Sequence, residues 1–261
     1  MKNPSPKQVA SAAAVKAGAE LLKHFHKISR SLIKTKSKHE IITPADLAAE
    51  KIILSAIKKN FPTHRILSEE AGYNQKNSDY LWIIDPLDGT TNFAMGNPLF
   101  SVSIALSYQD EIILGVVYVP FLKDLYVAEK NKGAFLNGKK IHVSAENKIN
   151  NSFLTFCHGH EEKSIRRAIH IYSKLKLAGR DLRQIGTAAL ETSWVARGKT
   201  EAIIIPGVNS WDVAAGVLLV REAGGLITDL EGKPWTIHSK GILASNKNIH
   251  QPLLKIIKSI P

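Results

Sequence analysis

A four-residue apolar run, Leu81-Trp82-Ile83-Ile84, constrains this chain more than any other feature. With no polar member, it reads as a strand buried on both faces, and such strands need packing above and below. The run ends directly at Asp85; Pro86 breaks the ladder and Asp88-Gly89 turns the chain. Around it the hydrophobic period changes. Helical spacing marks 6–26 and a second helix that opens at Thr43-Pro44 and stops at Phe61-Pro62, with Ser5 and Thr43 as caps. Residues 65–68, 101–107 and 112–119 read as strands, and Asn137-Gly138 as the turn of a tight hairpin. Beyond about residue 150, strands at 152–157, 182–185, 202–205, 226–228 and 242–245 are interleaved with helices at 161–176, 187–197, 211–223 and the C-terminus. This order predicts a layered α/β protein whose first half, about 1–150, is α+β and whose second, about 151–261, is α/β. No repeat or linker separates the halves, so residues 1–261 are expected to form one domain.

Composition narrows the class. Hydrophobic content of 44% with 22% charged residues excludes a wholly disordered chain. One cysteine, Cys157, cannot frame an intrachain disulfide scaffold. No apolar run nears the roughly 18 residues that cross a bilayer, and the first residues lack a signal-type core, so a cytoplasmic protein with no membrane partner is expected. The net charge of +12 suits an anionic partner such as a phosphorylated metabolite or nucleic acid. Its densest stretch holds Lys23, Lys27, Arg30, Lys34, Lys36 and Lys38 without an acid. Phe25 is its only aromatic, too few for a base-stacking platform, and a helix end followed by a mobile loop is the expected structure.

Acids collect where strands end. Asp85 and Asp88, with the Leu87 carbonyl between them, can converge on one point; Glu69-Glu70 follows the 65–68 strand; Asp212 opens the helix after 202–205. Hard oxygen donors of this kind suit Mg²⁺. The N–H groups of Gly89, Thr90 and Thr91, at a nascent helix start, suit a phosphate. Asp-Pro and Asp-Gly are also ordinary turn chemistry, and Asp88, Asp46 and Asp212 can each be read as first-turn caps. Four acids at three strand-to-turn junctions favour a site. Cys157-His158 lacks an acid to orient the histidine, and His158-x-His160 lacks company for zinc.

Two long motifs make the sequence resemble the inositol monophosphatase family of Mg²⁺-dependent, lithium-sensitive phosphatases. They are W-x-x-D-P-[IL]-D-G-T-x-N-F, at 82–93, and W-D-x-A-[AG]-G…E-A-G-G, at 211–216 and 222–225. Glu69-Glu70 and Thr43-x-x-Asp46 match as well. The resemblance spans nearly the whole chain and implies an α-β-α-β-α sandwich, usually as a homodimer. It implies that Glu69, Asp85 and the Leu87 carbonyl hold one Mg²⁺ and that Asp85, Asp88 and Asp212 hold a second, with a weaker third near Glu69. Glu69, Thr90 and Asp46 would be the catalytic set, the Thr90 hydroxyl polarised by Asp46 and contacting phosphate and water. Glu70 would stand behind the ligands, and Lys36 would approach the weaker metal from its loop. Paired cations would neutralise a phosphomonoester dianion and activate water for in-line attack.

Substrate contacts implied by the resemblance are Gly89, Thr90, Thr91, Arg183, Gly186, Thr187 and Ala188. Ile205 stands where inositol-selective members carry a glutamate that bonds a substrate hydroxyl. Inositol 1-phosphate is the expected substrate, and fructose-1,6-bisphosphate, histidinol phosphate and adenosine 3′,5′-bisphosphate are the alternatives. A reading of another class, an RNA-associated accessory protein, is compatible with the +12 charge but does not need the acids.

Overall fold

A computed structural model describes residues 4–27 and 32–259 of the chain. Helices α1 (Pro6–His24) and α2 (Pro44–Asn60) each start on a proline behind a capping hydroxyl, Ser5 and Thr43, with a full capping box. Between them, β1 (Lys34–Ser37) and β2 (Glu40–Ile42) form an antiparallel hairpin. This corrects the expected mobile loop. No residue of β1 is buried, so backbone pairing rather than an apolar pattern holds it, and pattern reading is blind to it. Arg30 of the basic stretch lies outside the described residues.

An eight-stranded sheet follows, built from β3 (Arg65–Ser68), β4 (Gly72–Tyr73), β5 (Tyr80–Asp88), β6 (Ser101–Tyr108), β7 (Glu111–Val119), β8 (Asp124–Glu129), β9 (Ala134–Leu136) and β10 (Lys139–Ile141), with the short helix α3 (Thr90–Ala94) after β5. Its order is β10-β9-β8-β7-β6-β5-β3-β4, antiparallel except where β3 lies parallel to β5. The second sheet, β12-β11-β13-β15-β14, holds β11 (Phe153–Phe156), β12 (Asp181–Arg183), β13 (Ala202–Pro206), β14 (Leu226–Thr228) and β15 (Gly241–Ser245). Helices α4 (Glu162–Ala178), α5 (Ala188–Ala196), α6 (Ser210–Glu222) and α7 (Lys247–Lys258) complete the chain.

The layers run α1/α2, large sheet, α5/α6, small sheet, α4/α7, the expected sandwich, and alternation within strands builds it. Trp82 and Ile84 of β5 face the core under α1 and α2, while Leu81 and Ile83 face the central layer of α5 and α6. Likewise Ile203 and Ile205 of β13 join the central core, and Ala202 and Ile204 join the one beneath α4 and α7. The central layer is tight enough to explain a glycine of the second motif. A Cβ at Gly216 of α6 would lie 2.0 Å from Thr192 Oγ1 of α5, so the two helices meet only because that Cβ is missing.

One further expectation is corrected. β5 does not stop at Asp85 but resumes pairing with β6 at Asp88↔Ser101, after a register irregularity that begins at Asp85↔Ser103. Pro86, which has no N–H to give, sits in that irregularity and bends the ladder instead of ending it. Strands β4 and β8 have no counterpart in the sequence reading.

Candidate active site

The bulge in β5 shapes the site. Asp85 Oδ1 accepts the Leu87 N–H at 3.0 Å, a short loop that turns Asp85 and Asp88 to the same side. Gly89 follows with φ +90°, a left-handed conformation that favours glycine, and starts α3. Because β3 lies parallel to β5, Glu69 emerges beside Asp85, its N–H bonded to the Ile84 carbonyl at 3.1 Å. Buried Glu50 of α2 clamps that exit, accepting from Ser68 Oγ (2.5 Å) and the Ala71 N–H (2.9 Å) on either side of Glu69-Glu70. From the other sheet, Asp212 sits in the first turn of α6, where it accepts the Asn209 N–H at 2.8 Å.

These segments enclose a cleft of about 460 Å³. Of the expected site residues, Glu69, Asp85, Leu87, Asp88, Gly89, Thr90, Thr91, Gly186, Ala188, Ile205 and Asp212 line it. Asp46 and Thr187 stand one layer behind, both nearly fully buried. Thr90 Oγ1 lies 3.1 Å from Asp46 Oδ1 and 3.0 Å from the Leu87 carbonyl. The other oxygen of Asp46 accepts from the Thr43 hydroxyl and amide at 2.5 and 2.9 Å, so one carboxylate both caps α2 and fixes Thr90. Arg183 is not brought to the cleft. It ends the edge strand β12, where period-two geometry puts it beside Asp181, to which its Nε bonds at 2.7 Å; Gln184 and Ile185 face the cleft instead.

The carboxylates are under electrostatic load. Burial, then Glu69, Asp88 and Asp212, push Asp85 well above the usual carboxylate range, and burial with Asp88 and Glu69 does the same to Asp212. Asp88 is pushed up to about 6 by burial, against hydrogen bonds from Thr187, Ser101, Ala189 and Ala188. Lys36, in β1 of the hairpin, bonds Glu69 at 2.9 Å and Glu70 at 2.5 Å. Burial opposes its charge, but the two acids more than offset that and hold it above its ordinary value. One ammonium cannot neutralise two acids: burial, with Glu69 adding to it, pushes Glu70 up to about 7.

Among the described residues no three His, Cys, Asp or Glu side chains form a preformed metal cage. The donors nevertheless fit divalent cations: hard oxygens, Asp85 and Asp88 buried and Glu69 and Asp212 half-buried, with Glu69, Asp88 and Asp212 raising the Asp85 pKa and an ammonium already resting on Glu69. Pattern reading missed the rest of the cleft wall, His39, Glu40 and Ile41 of the hairpin, Gln184, Ile185 and Asn209, and it gave His158 and His160 no role. None belongs to a motif, and they meet only because segments more than a hundred residues apart share one cleft. Asn92 carried a usable signal, being inside the first motif; its Nδ2 donates to the Leu99 and Ile185 carbonyls at 2.7 and 2.9 Å, tying the two walls together.

Known proteins are similar to this chain in sequence and fold. A Thermotoga maritima fructose-1,6-bisphosphatase/inositol-1-monophosphatase is 36% identical over 245 residues, 94% of this chain and 93% of that protein. A Pseudomonas aeruginosa Nus factor SuhB is 34% identical over 256 residues, covering 96% and 94%. The crystal structure of the extragenic suppressor protein suhB from Bartonella henselae superposes with a TM-score of 0.91 at 35% identity, covering 96% of this chain and 97% of that one. The model of the inositol monophosphatase family matches residues 5–261, and with fold, motifs and relatives in agreement the chain belongs to that family.

Proposed function

We propose that this family phosphatase hydrolyses the monophosphate ester of a small polyol, inositol 1-phosphate first, with Mg²⁺ held by Glu69, Asp85, Asp88, Asp212 and the Leu87 carbonyl. The convergence of four acids from β3, β5 and α6 on one cleft carries this reading. Bound there, two or three Mg²⁺ ions supply charge neutralisation for the ester and an acidified water. The chain's own groups do the rest. The Gly89, Thr90 and Thr91 segment receives the phosphate, and the Thr90 hydroxyl, backed by Asp46, orients the attacking water's proton. Gly186 and Ala188 face the alcohol that leaves.

Ile205, 2% exposed, supports relaxed selectivity. An apolar wall rejects or rewards a hydroxyl only weakly, by roughly 10²-fold. Phosphate release from inositol 1-phosphate, fructose-1,6-bisphosphate, histidinol phosphate and adenosine 3′,5′-bisphosphate, each with Mg²⁺ and with chelator, is therefore expected to show inositol 1-phosphate leading by no more than about 10²-fold in kcat/KM. Folded protein that releases phosphate from none of them would sink the proposal. It would promote the nucleic-acid reading, which predicts steeply salt-dependent RNA binding that survives loss of the acids.

A homodimer is part of the proposal. Ile169 and Tyr172 of α4 leave exposed apolar side chains beside the edge strand β12, suited to a second copy. Light scattering should give about twice 28.7 kDa, and a mass of one chain would refute it. No described helix is long and apolar enough to cross a membrane. The single buried thiol, Cys157, fits a reducing compartment, and the cytoplasm is the proposed location.

A further inference from the structure

Behind the turn that holds Asp88 lies a carboxyl group that the proposed chemistry does not use. Glu191 belongs to the first turn of α5 and is 0% exposed. The cap of that helix is Thr187, but its side chain makes no capping bond, because the hydroxyl is hydrogen-bonded to Asp88 instead. The helix start is satisfied in another way. Four successive amides are shared between two acids: Gly186 and Thr187 donate to Glu191 Oε1 at 3.1 and 3.3 Å, and Ala188 and Ala189 donate to Asp88 at 3.0 Å each. Cys157 Sγ donates to the same Glu191 oxygen at 2.8 Å, anchoring the carboxyl to the end of β11.

We propose that Glu191 is a positioning residue for the metal ligand Asp88: by fixing the Gly186 and Thr187 amides, it holds the turn in the one shape that presents Thr187 Oγ1 and the Ala188 and Ala189 amides to Asp88. This rests on the reading of Asp88 as a ligand of the proposed phosphatase. The turn has little else to define it. Gly186 sits at φ +86°, without a Cβ to restrict it, and the opposite wall reaches the turn through Asn92, which bonds the Ile185 carbonyl. With Glu191 removed, two buried amides lose their acceptor and the turn relaxes to find others. Asp88 then loses the alignment of three of its four donors, keeping Ser101 Oγ at 2.9 Å.

The other oxygen of Glu191 and the nearby Thr155 hydroxyl are both buried without a hydrogen-bond partner. Burial pushes Glu191 up to about 8, so a neutral side chain of the same shape belongs there. Glutamine is that side chain. It keeps the accepting oxygen and brings an N–H₂ that can serve Thr155.

The test compares wild type, Glu191→Gln, Glu191→Asp and Glu191→Ala. Hydrogen–deuterium exchange over residues 184–190 is followed in metal-free protein, Mn²⁺ affinity by paramagnetic resonance, and the half-saturating Mg²⁺ in phosphate release. Glu191→Gln should match wild type within about threefold in Mn²⁺ affinity, with the 184–190 amides still protected. Glu191→Ala should lose that protection and weaken Mn²⁺ binding by about 10-fold or more, raising the Mg²⁺ requirement while KM at saturating Mg²⁺ changes less; roughly this loss accompanies removal of groups that orient metal ligands. Should the alanine variant fail to fold, Glu191→Asp, one methylene too short to reach both amides, must show the same two changes. Wild-type exchange and wild-type Mn²⁺ affinity in either shortened variant would overturn the inference. Exchange and Mn²⁺ binding need no substrate, so a wild-type protein that hydrolyses no ester refutes the functional reading while these two measurements still decide the role of Glu191.

Discussion

Asp85→Asn should lower phosphate release by at least about 10³-fold and, at the same time, raise the melting temperature of the metal-free protein. The two effects share one cause. Asp85 is 2% exposed and faces Glu69, Asp88 and Asp212, so without cations its carboxylate is repelled from three sides and starved of water. Asparagine keeps the shape and can still accept the Leu87 N–H, but removes the charge. At about 2–4 °C per kcal/mol for a chain of this size, relief of even 1–2 kcal/mol is readable in a melting curve. The same charge is what a pair of divalent ions would share. Groups that merely orient metal ligands cost about 10–100-fold when lost, and a bridging ligand should cost more. Scanning calorimetry in chelator and a phosphate assay in Mg²⁺ check the two halves. A variant that melts lower than wild type in chelator, or that keeps a tenth of the activity, would contradict the assignment.

The metal-free protein is also expected to lose stability as pH rises from 6.5 to 8, and saturating Mg²⁺ to weaken the trend. Folded Glu70 titrates near 7 and Glu191 near 8, with Asp85 and Asp212 also raised, whereas an unfolded Asp or Glu titrates near 4. Between those limits the native state holds more protons than the unfolded state, so the derivative of unfolding free energy with pH is negative. Each pKa unit corresponds to about 1.4 kcal/mol, so a fall of a few kcal/mol is expected. The opposite contribution comes from two histidines pushed down by burial, His64 and, to about 4, His250, which is buried against Ser245 and Thr228. They raise stability mainly as pH climbs to 6.5, and with the unfolded imidazole half neutral there only a small remainder lies above, which is why the window starts there. Bound Mg²⁺ would require its ligands Asp85 and Asp212 deprotonated and would remove their share of the penalty, leaving that of Glu70 and Glu191. Melting temperatures in chelator that are flat or rising from pH 6.5 to 8 would refute this electrostatic picture.

Much of the fold was legible because its long elements obey one period each. Leu81–Ile84 read as a doubly buried strand because four successive residues there are apolar, and it packs against helices on both faces. Thr43-Pro44 and Ser5-Pro6 marked helix starts because capping chemistry is local. What stayed hidden is held by contacts rather than by pattern. The β1–β2 hairpin has no buried side chain in β1 to betray it. Pro86 read as a strand end because proline removes one ladder bond, whereas the strand continues beyond the irregularity to Asp88. The acids were legible because they cluster at strand exits. Glu191 was not, because nothing in Ala-Leu-Glu-Thr-Ser separates a buried clamp from a solvated helix residue. The resemblance implied Arg183 as a substrate contact; alternation along β12 sent it to Asp181 instead.

The measurement that tests the central claim most directly is calorimetric titration of metal-free protein with Mg²⁺, wild type beside Asp85→Asn, at a pH between 6.5 and 8. Wild type should bind at least two ions per chain and release protons as the raised carboxylates give them up, and Asp85→Asn should bind fewer ions with markedly weaker heat. Absence of binding to folded wild type, or an isotherm unchanged by the substitution, would show that the acids gathered from β3, β5 and α6 are not a metal site.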